Sequence, residues 1–245
     1  MPWTELTASD GHRLQAHRAD PAADGPLTPR GGVVVIQEIF GVNSHIRSVV
    51  DQLAADGFVA IAPALFDRVE RGVELDYDGP GVKRGQALAW ETVGIDDALT
   101  DIASAADLLS TELGGPGRVG MVGFCYGGML AAAAASRMPD RFGRAVAYYP
   151  SLAAQKLPDD VPGVPLLVHL GDRDQRVTVE DGETLRQRWP DAEFHRYDAG
   201  HGFHCDQRPG YDADAATTAW QRTIDFLGPP GLEPSQGPPR RVDST

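Results

Sequence analysis

The chain has 245 residues, 42% of them hydrophobic and 23% charged, a balance that suits one globular domain with ample core to fold alone. Its formal net charge of −13 argues against nucleic acid and anionic membranes as partners, since both need basic patches. No stretch approaches the ~20 apolar residues of a membrane span. Only Cys125 and Cys205 are present, too few for a disulfide framework, and the opening Met1-Pro-Trp-Thr-Glu-Leu-Thr7 lacks the basic and apolar regions of a secretory signal. A reduced, cytoplasmic protein is expected.

In chain order, residues 21–32 read as a hairpin loop rather than a linker. Val33-Val-Val-Ile-Gln37 predicts a strand, followed by a helix over about 43–56 and a strand at Val59-Ala-Ile-Ala62. Residues 63–85 read as a loop-rich excursion. A long helix is expected over roughly 92–113, with Ile95, Ala98, Leu99, Ile102, Ala105, Ala106 and Leu109 on one face. Next comes a β-rich run over 118–124 and a strongly helix-forming run over 128–137. Strands are predicted over 145–149, 166–170 and 194–198. Thr178-Val-Glu-Asp181 fits a helix start with its capping acid, and a helix over about 212–227 closes the domain. Residues 229–245, rich in Pro and Gly, read as a disordered tail to a single domain over 1–228. Alternation of elements at these lengths implies a mostly parallel sheet covered on both faces, with ligands at the carboxyl ends of its strands.

That rule filters the chemically capable residues. Gly123-Phe-Cys-Tyr-Gly127 joins a predicted strand to a predicted helix and has the pattern of a nucleophile elbow, with cysteine where serine is usual. It puts the Cys125 sulfur at the positive end of a helix, where a thiolate is stabilised. Glu38, Asp174 and His201 also follow strands. The order Cys, Asp, His along the chain is that of α/β-hydrolases, with Cys125 attacking, His201 shuttling the proton and Asp174 orienting the imidazole. Asp172 competes with Asp174 for the last role, although an acid just past the Gly171 turn is better placed to reach a loop histidine. His169, inside an apolar strand, reads as a core residue. His201, His204 and Cys205 lack the spacing of a zinc site and a fourth ligand, so no metal is expected. Glu38 alone is equally a helix-start acid.

Together these residues resemble the dienelactone hydrolase (carboxymethylenebutenolidase) family of α/β-hydrolases, over about residues 7–227. The most specific pieces are Gln37-Glu-Ile-Phe-Gly-Val-Asn43, Gly123-Phe-Cys-Tyr-Gly-Gly128, Gly171-Asp-Arg-Asp174 and Ala199-Gly-His-Gly-Phe203. The resemblance implies an α/β-hydrolase fold and a triad of Cys125, Asp174 and His201. It also implies an oxyanion hole from the N–H groups of Ile39 and Tyr126, and no cofactor. Glu38 would be a fourth member: the resting thiol is protonated and turned from the histidine until substrate shifts the glutamate toward it, which protects Cys125 from oxidation. The implied reaction is opening of an enol-lactone through an acyl-cysteine, as in degradation of chloroaromatic compounds.

The chain departs from the family where substrate is held. Of the two arginines that bind the substrate carboxylate in the family, the earlier aligns with Lys83 or Arg84. The later falls on Cys205, with Arg208 three residues further along a different loop path. Trp90 matches a family tryptophan, Ala87 replaces a tyrosine, and Tyr148 and Tyr149 are candidates for the same wall. The missing arginine also predicts a weaker hold on Glu38. The expected partner is a small, negatively charged lactone or ester, with the protein a monomer or weak homo-oligomer. A broader carboxylesterase or thioesterase, or a catalytically silent binding module on the same fold, are the alternative readings.

Overall fold

The computed structural model describes residues 2–22 and 28–228. It opens with two strands that the sequence reading omits, β1 (Trp3–Thr7) and β2 (Arg13–Ala19), followed by β3 (Gly32–Ile36), helix α1 (Ser44–Ala55) and β4 (Val59–Pro63). The 63–85 excursion contains a short 3-10 turn, Leu65–Arg68, and a further helix, α2 (Gly79–Gln86), which runs into a π-helical turn at Ala87–Thr92. Then come α3 (Ile95–Leu113), β5 (Val119–Phe124), α4 (Tyr126–Arg137), β6 (Arg144–Tyr148), the short α5 (Ala153–Lys156) and β7 (Leu166–Gly171). The chain closes with α6 (Val179–Arg188), β8 (Glu193–Tyr197) and α7 (Ala213–Leu227).

The strands form one eight-stranded sheet in the order β1-β2-β4-β3-β5-β6-β7-β8. β1 and β2 pair antiparallel, β2 pairs antiparallel with β4, and every later pairing is parallel. Residues 21–32 therefore close no hairpin, because they lead from β2 past β4 to β3. The hairpin is β1–β2, whose Thr7 sits opposite Arg13. Residues 23–27 of that segment, and the predicted tail over 229–245, lie outside the described residues.

The central strands alternate their side chains between two apolar layers, as a doubly covered sheet requires. Val34, Ile36 and Met121 join α3, α4 and Leu185 of α6 on one face, while Val33, Val35 and Val122 join α1 and α7 on the other. In α3 the predicted apolar face is the buried one, with only its first residue, Ile95, half-exposed. Asp101 on the same helix is fully buried and held by Arg68 at 2.7 and 2.8 Å, tying α3 to the 3-10 turn. Among the described residues, no helix is long and apolar enough to cross a membrane.

The register decides what can meet at the carboxyl edge. Ile36 pairs with Gly123, so the segment carrying Glu38 and Ile39 leaves the sheet beside Cys125. Gly171 pairs with Tyr197, so the loops carrying Asp174 and His201 leave side by side. β6 lies between these two pairs, and strand order reverses at β3 and β5, where open parallel sheets place their crevice.

Candidate active site

Cys125 occupies a strained turn. Its φ of 55° and ψ of −109° lie outside the favoured regions for a residue with a side chain. The turn is so tight that a Cβ on Gly123 would stand 1.9 Å from the Gly127 carbonyl oxygen, and one on Gly127 would stand 2.3 Å from that of Ile36. The Cys125 N–H donates to Tyr148 O at 3.0 Å, and its carbonyl accepts the N–H of Ser151 at 3.1 Å, so the exit of β6 braces the turn. The thiol sits at the head of α4, the end where the helix dipole favours negative charge. Its Sγ lies 3.2 Å from Ser151 Oγ.

His201 Nδ1 and Asp174 Oδ2 are 2.8 Å apart, while Asp174 Oδ1 accepts the N–H groups of Arg176 at 2.7 Å and Val177 at 3.0 Å. Both oxygens of the carboxylate are thereby used, which fixes its plane. Asp172, the competing acid, is exposed and paired with Arg196 at 2.6 Å. His201 Nε2 is buried and makes no hydrogen bond among the described residues. Burial works against a charged ring, but the Cys125 sulfur and the Asp174 carboxylate outweigh it and push His201 up to about 9. Cys125 and His201 line one cavity of about 250 Å3, together with Ile39, Trp90, Arg176 and Arg208.

Glu38 is 1% exposed and lies at the back of this arrangement. Arg208 Nη1 donates to its Oε1 at 2.9 Å, and the Tyr77 hydroxyl donates to Oε2 at 3.4 Å. Tyr77 in turn accepts from Asn43 Nδ2 at 3.0 Å and from the Cys205 thiol at 3.3 Å. The expected weakening of the hold on Glu38 is therefore corrected: an arginine from further along the loop reaches it. Gly202 makes the reach feasible, since at its φ of 76° a Cβ would stand 2.6 Å from Arg208 Nη1. Burial, together with the Glu38 charge, pushes the Cys205 thiol up to about 11.

Two further expectations change. Lys83 and Arg84 are exposed, and Arg84 pairs with Glu70. On α2 it is Val82 and Gln86, one turn apart, that face the cavity, which leaves the intervening Lys83 and Arg84 on the solvent side. Tyr149 is fully buried behind His201, its ring 5.0 Å from the imidazole in an edge contact, and does not reach the cavity wall. Tyr148 is a core residue bonded to Thr223 at 2.7 Å. His169 is also core, satisfied by Tyr197 at 2.8 Å and Thr223 at 3.1 Å.

The N–H groups of Ile39 and Tyr126 have no acceptor among the described residues; that of Tyr126 is the first amide of α4, which no helical carbonyl can satisfy. His204 packs against Phe124, Tyr148 and Trp220 rather than joining His201 and Cys205 around a common point. A different trio, Glu38, His45 and Cys205, brings donor atoms within 4.8 Å of one another. The guanidinium of Arg208 already supplies the cation at that carboxylate, so the cluster suits a fixed positive charge better than a divalent ion.

Sequence reasoning missed Ser151, Tyr77 and Asn43. Ser151 was accessible, because it follows β6 and the strand-exit rule applies to it as to Cys125. The others lie in loops or at a helix start, and only tertiary contact gives them a role.

The profile of the Dienelactone hydrolase family matches residues 15–230. A "Putative carboxymethylenebutenolidase" of Synechocystis sp. is 35% identical over 237 residues, covering 89% of this chain and 94% of its own. The "Carboxymethylenebutenolidase" of Pseudomonas putida is 32% identical over 230 residues, covering 91% and 94%. Among solved structures, a "Putative Dienelactone Hydrolase" from Klebsiella pneumoniae subsp. pneumoniae MGH 78578 aligns with a TM-score of 0.78 at 29% identity, over 92% of this chain and 97% of that one. With the sheet order and strand exits described above, these likenesses make the chain an α/β-hydrolase-fold protein that belongs to the dienelactone hydrolase family and is a hydrolase of that type.

Proposed function

We propose that the protein opens a small lactone or ester by nucleophilic attack of Cys125, through an acyl-cysteine intermediate. The observation that carries this reading is a sulfur on a strained turn at a helix head, in one cavity with an imidazole whose far nitrogen is locked to a buried carboxylate. The Cys125 sulfur lies 3.2 Å from Ser151 Oγ and close enough to the His201 ring to raise its proton affinity, and His201 Nε2 has no other partner among the described residues.

When substrate enters, the Cys125 thiol passes its proton to the neutral His201 ring at Nε2. The thiolate attacks the carbonyl carbon, and the resulting oxyanion takes hydrogen bonds from the Ile39 and Tyr126 N–H groups. Donors of this kind contribute a few kcal/mol of transition-state stabilisation each (roughly 3). As the carbon–oxygen bond breaks, the imidazolium returns its proton to the leaving oxygen, leaving a thioester on Cys125. Water then attacks the thioester carbonyl with His201 as base, and the acid product departs as the thiol is restored. Asp174 holds the ring tautomer and balances the imidazolium throughout. Glu38 acts beside this triad: its charge disfavours a premature thiolate, and its movement toward the sulfur requires release from Arg208 and Tyr77.

The test is trapping with 4-nitrophenyl acetate. Wild type should show a burst of nitrophenolate and a mass gain of one acetyl group at Cys125, and Cys125→Ala should lose both. Turnover retained by Cys125→Ala removes the nucleophile assignment.

A further inference from the structure

With Lys83 and Arg84 on the solvent side of α2, recognition of a charged substrate must come from groups on the cavity wall itself. The wall carries two arginines. Arg208 is committed, since its guanidinium bonds Glu38 at 2.9 Å and lies over the rings of Phe40 and Tyr77 at 5.6 and 5.4 Å. Arg176 is not: among the described residues its side chain makes no salt bridge and no hydrogen bond. We propose that Arg176 is the anion anchor of this site, binding a carboxylate or similar monoanionic group on the lactone or ester. The proposal rests on the hydrolase reading above and adds to it the group that reads substrate charge.

The pairing of the charged groups supports the assignment. Glu38 is matched by Arg208, and both oxygens of Asp174 are engaged, by His201 Nδ1 and by the Arg176 and Val177 N–H groups. Among the described residues, Arg176 is then the one cavity-lining guanidinium whose side chain has no partner. Lys156, whose Nζ lies 5.6 Å from the Trp90 ring centre, adds positive potential at the rim. In a chain of net charge −13, these cations make the mouth a local exception to a repulsive surface.

The backbone geometry suits the task. The Arg176 N–H is clamped to Asp174 Oδ1 at 2.7 Å, so the base of the side chain is fixed to the carboxylate that orients His201. The side chain is exposed, so it keeps its hydration until substrate arrives and costs little to hold in readiness. Its planar fork matches a carboxylate in two parallel hydrogen bonds, which a lysine cannot reproduce. The opposite wall is apolar, with Ile39, Phe40, Val82 and Trp90 facing a volume of about 250 Å3. The preferred substrate is thus a compact, largely apolar body with one anionic end.

Two activated esters of nearly equal size test this: 4-nitrophenyl hemisuccinate, an anion, and 4-nitrophenyl butyrate, its neutral counterpart. Arg176→Gln should raise KM for the hemisuccinate about 10- to 100-fold with little change in kcat, and leave the butyrate within about twofold. Arg176→Lys should recover part of the loss, and the wild-type preference for the anion should shrink in about 0.5 M salt. A Lys83→Gln, Arg84→Gln double variant should leave the hemisuccinate KM unchanged. Equal effects of Arg176→Gln on both esters, no effect on the hemisuccinate, or loss of anion preference in the double variant instead would each overturn the proposal. Failure of the underlying hydrolase reading looks different: wild type would turn over neither ester and form no acyl adduct. Glutarate titrated against tryptophan fluorescence then still decides the anchor, since wild type should bind it at least about tenfold tighter than Arg176→Gln.

Discussion

Two buried carboxylates flank Cys125, and they are partnered in opposite ways. Glu38 is held by an arginine, a cation that never gives up its proton in a protein. Asp174 is held to a histidine that, against the effect of burial, is pushed up to about 9 by the Cys125 sulfur and by Asp174 itself. The first pair is a permanent dipole that joins the segment after β3 to the loop after β8. The second can take up a proton. In the proposed mechanism, removing the proton from the sulfur needs the second kind of pair, whereas holding the Ile39 N–H in place needs the first.

The contrast is most sharply broken at Asp174. In Asp174→Asn the amide oxygen would stay on the Arg176 and Val177 N–H groups, turning the NH2 toward His201 Nδ1 and forcing the proton onto Nε2, the wrong nitrogen for a base. Ester hydrolysis should fall about 10^3- to 10^4-fold in kcat while the fold persists. A loss below tenfold would dissolve the distinction between the two carboxylates.

A smaller effect is expected at the static pair. Glu38→Gln keeps a hydrogen-bond acceptor for Arg208 but removes the negative charge near the sulfur. The variant should fold, lose about 10- to 100-fold in kcat, and lose Cys125 to hydrogen peroxide several times faster than wild type, because thiolate is no longer disfavoured. Unchanged peroxide sensitivity would leave Glu38 a purely structural group.

The smallest effect is on stability against pH, and its sign follows from His201. The folded ring is pushed up to about 9 from the ordinary 6.5, so folding is favoured fully below about pH 6.5, and the benefit is lost as pH rises through 9. Melting temperature should decline across that window. In Cys125→Ala the decline should flatten, since the sulfur is the first of the influences raising His201. A wild-type curve that is flat between pH 6.5 and 9 would separate His201 from both of its neighbours.

Much of this was legible in the sequence because parallel sheets enforce a simple rule. Cys125 directly follows β5, Asp174 and His201 lie in the loops that leave β7 and β8, and the register of β3, β5, β7 and β8 brings those exits together. What the sequence concealed lies where local signals mislead. Residues 63–85 read as a loop-rich excursion, yet Asp78 caps α2 by accepting the Gly81 N–H at 2.7 Å, and so the orientation of Lys83 and Arg84 was lost with the helix. β1 buries only Leu6, too little apolar pattern to announce a strand; its stability comes from pairing with β2. The reach of Arg208 to Glu38 spans 170 residues of sequence and depends on a glycine whose purpose is visible only in three dimensions.

Among the described residues, the non-glycine positions with positive φ are Cys125, Tyr149 and Leu152, and all three lie at the exits of β5 and β6. No local preference favours those conformations, so they persist only while the neighbouring strands and helices insist on them. A peptide cut from residues 119–137 would retain the Cys125 thiol and every motif letter, yet would relax its elbow within the first turn. The reactivity proposed for Cys125 is thus a collective attribute of the assembled sheet, and it should vanish with partial unfolding well before the secondary structure does.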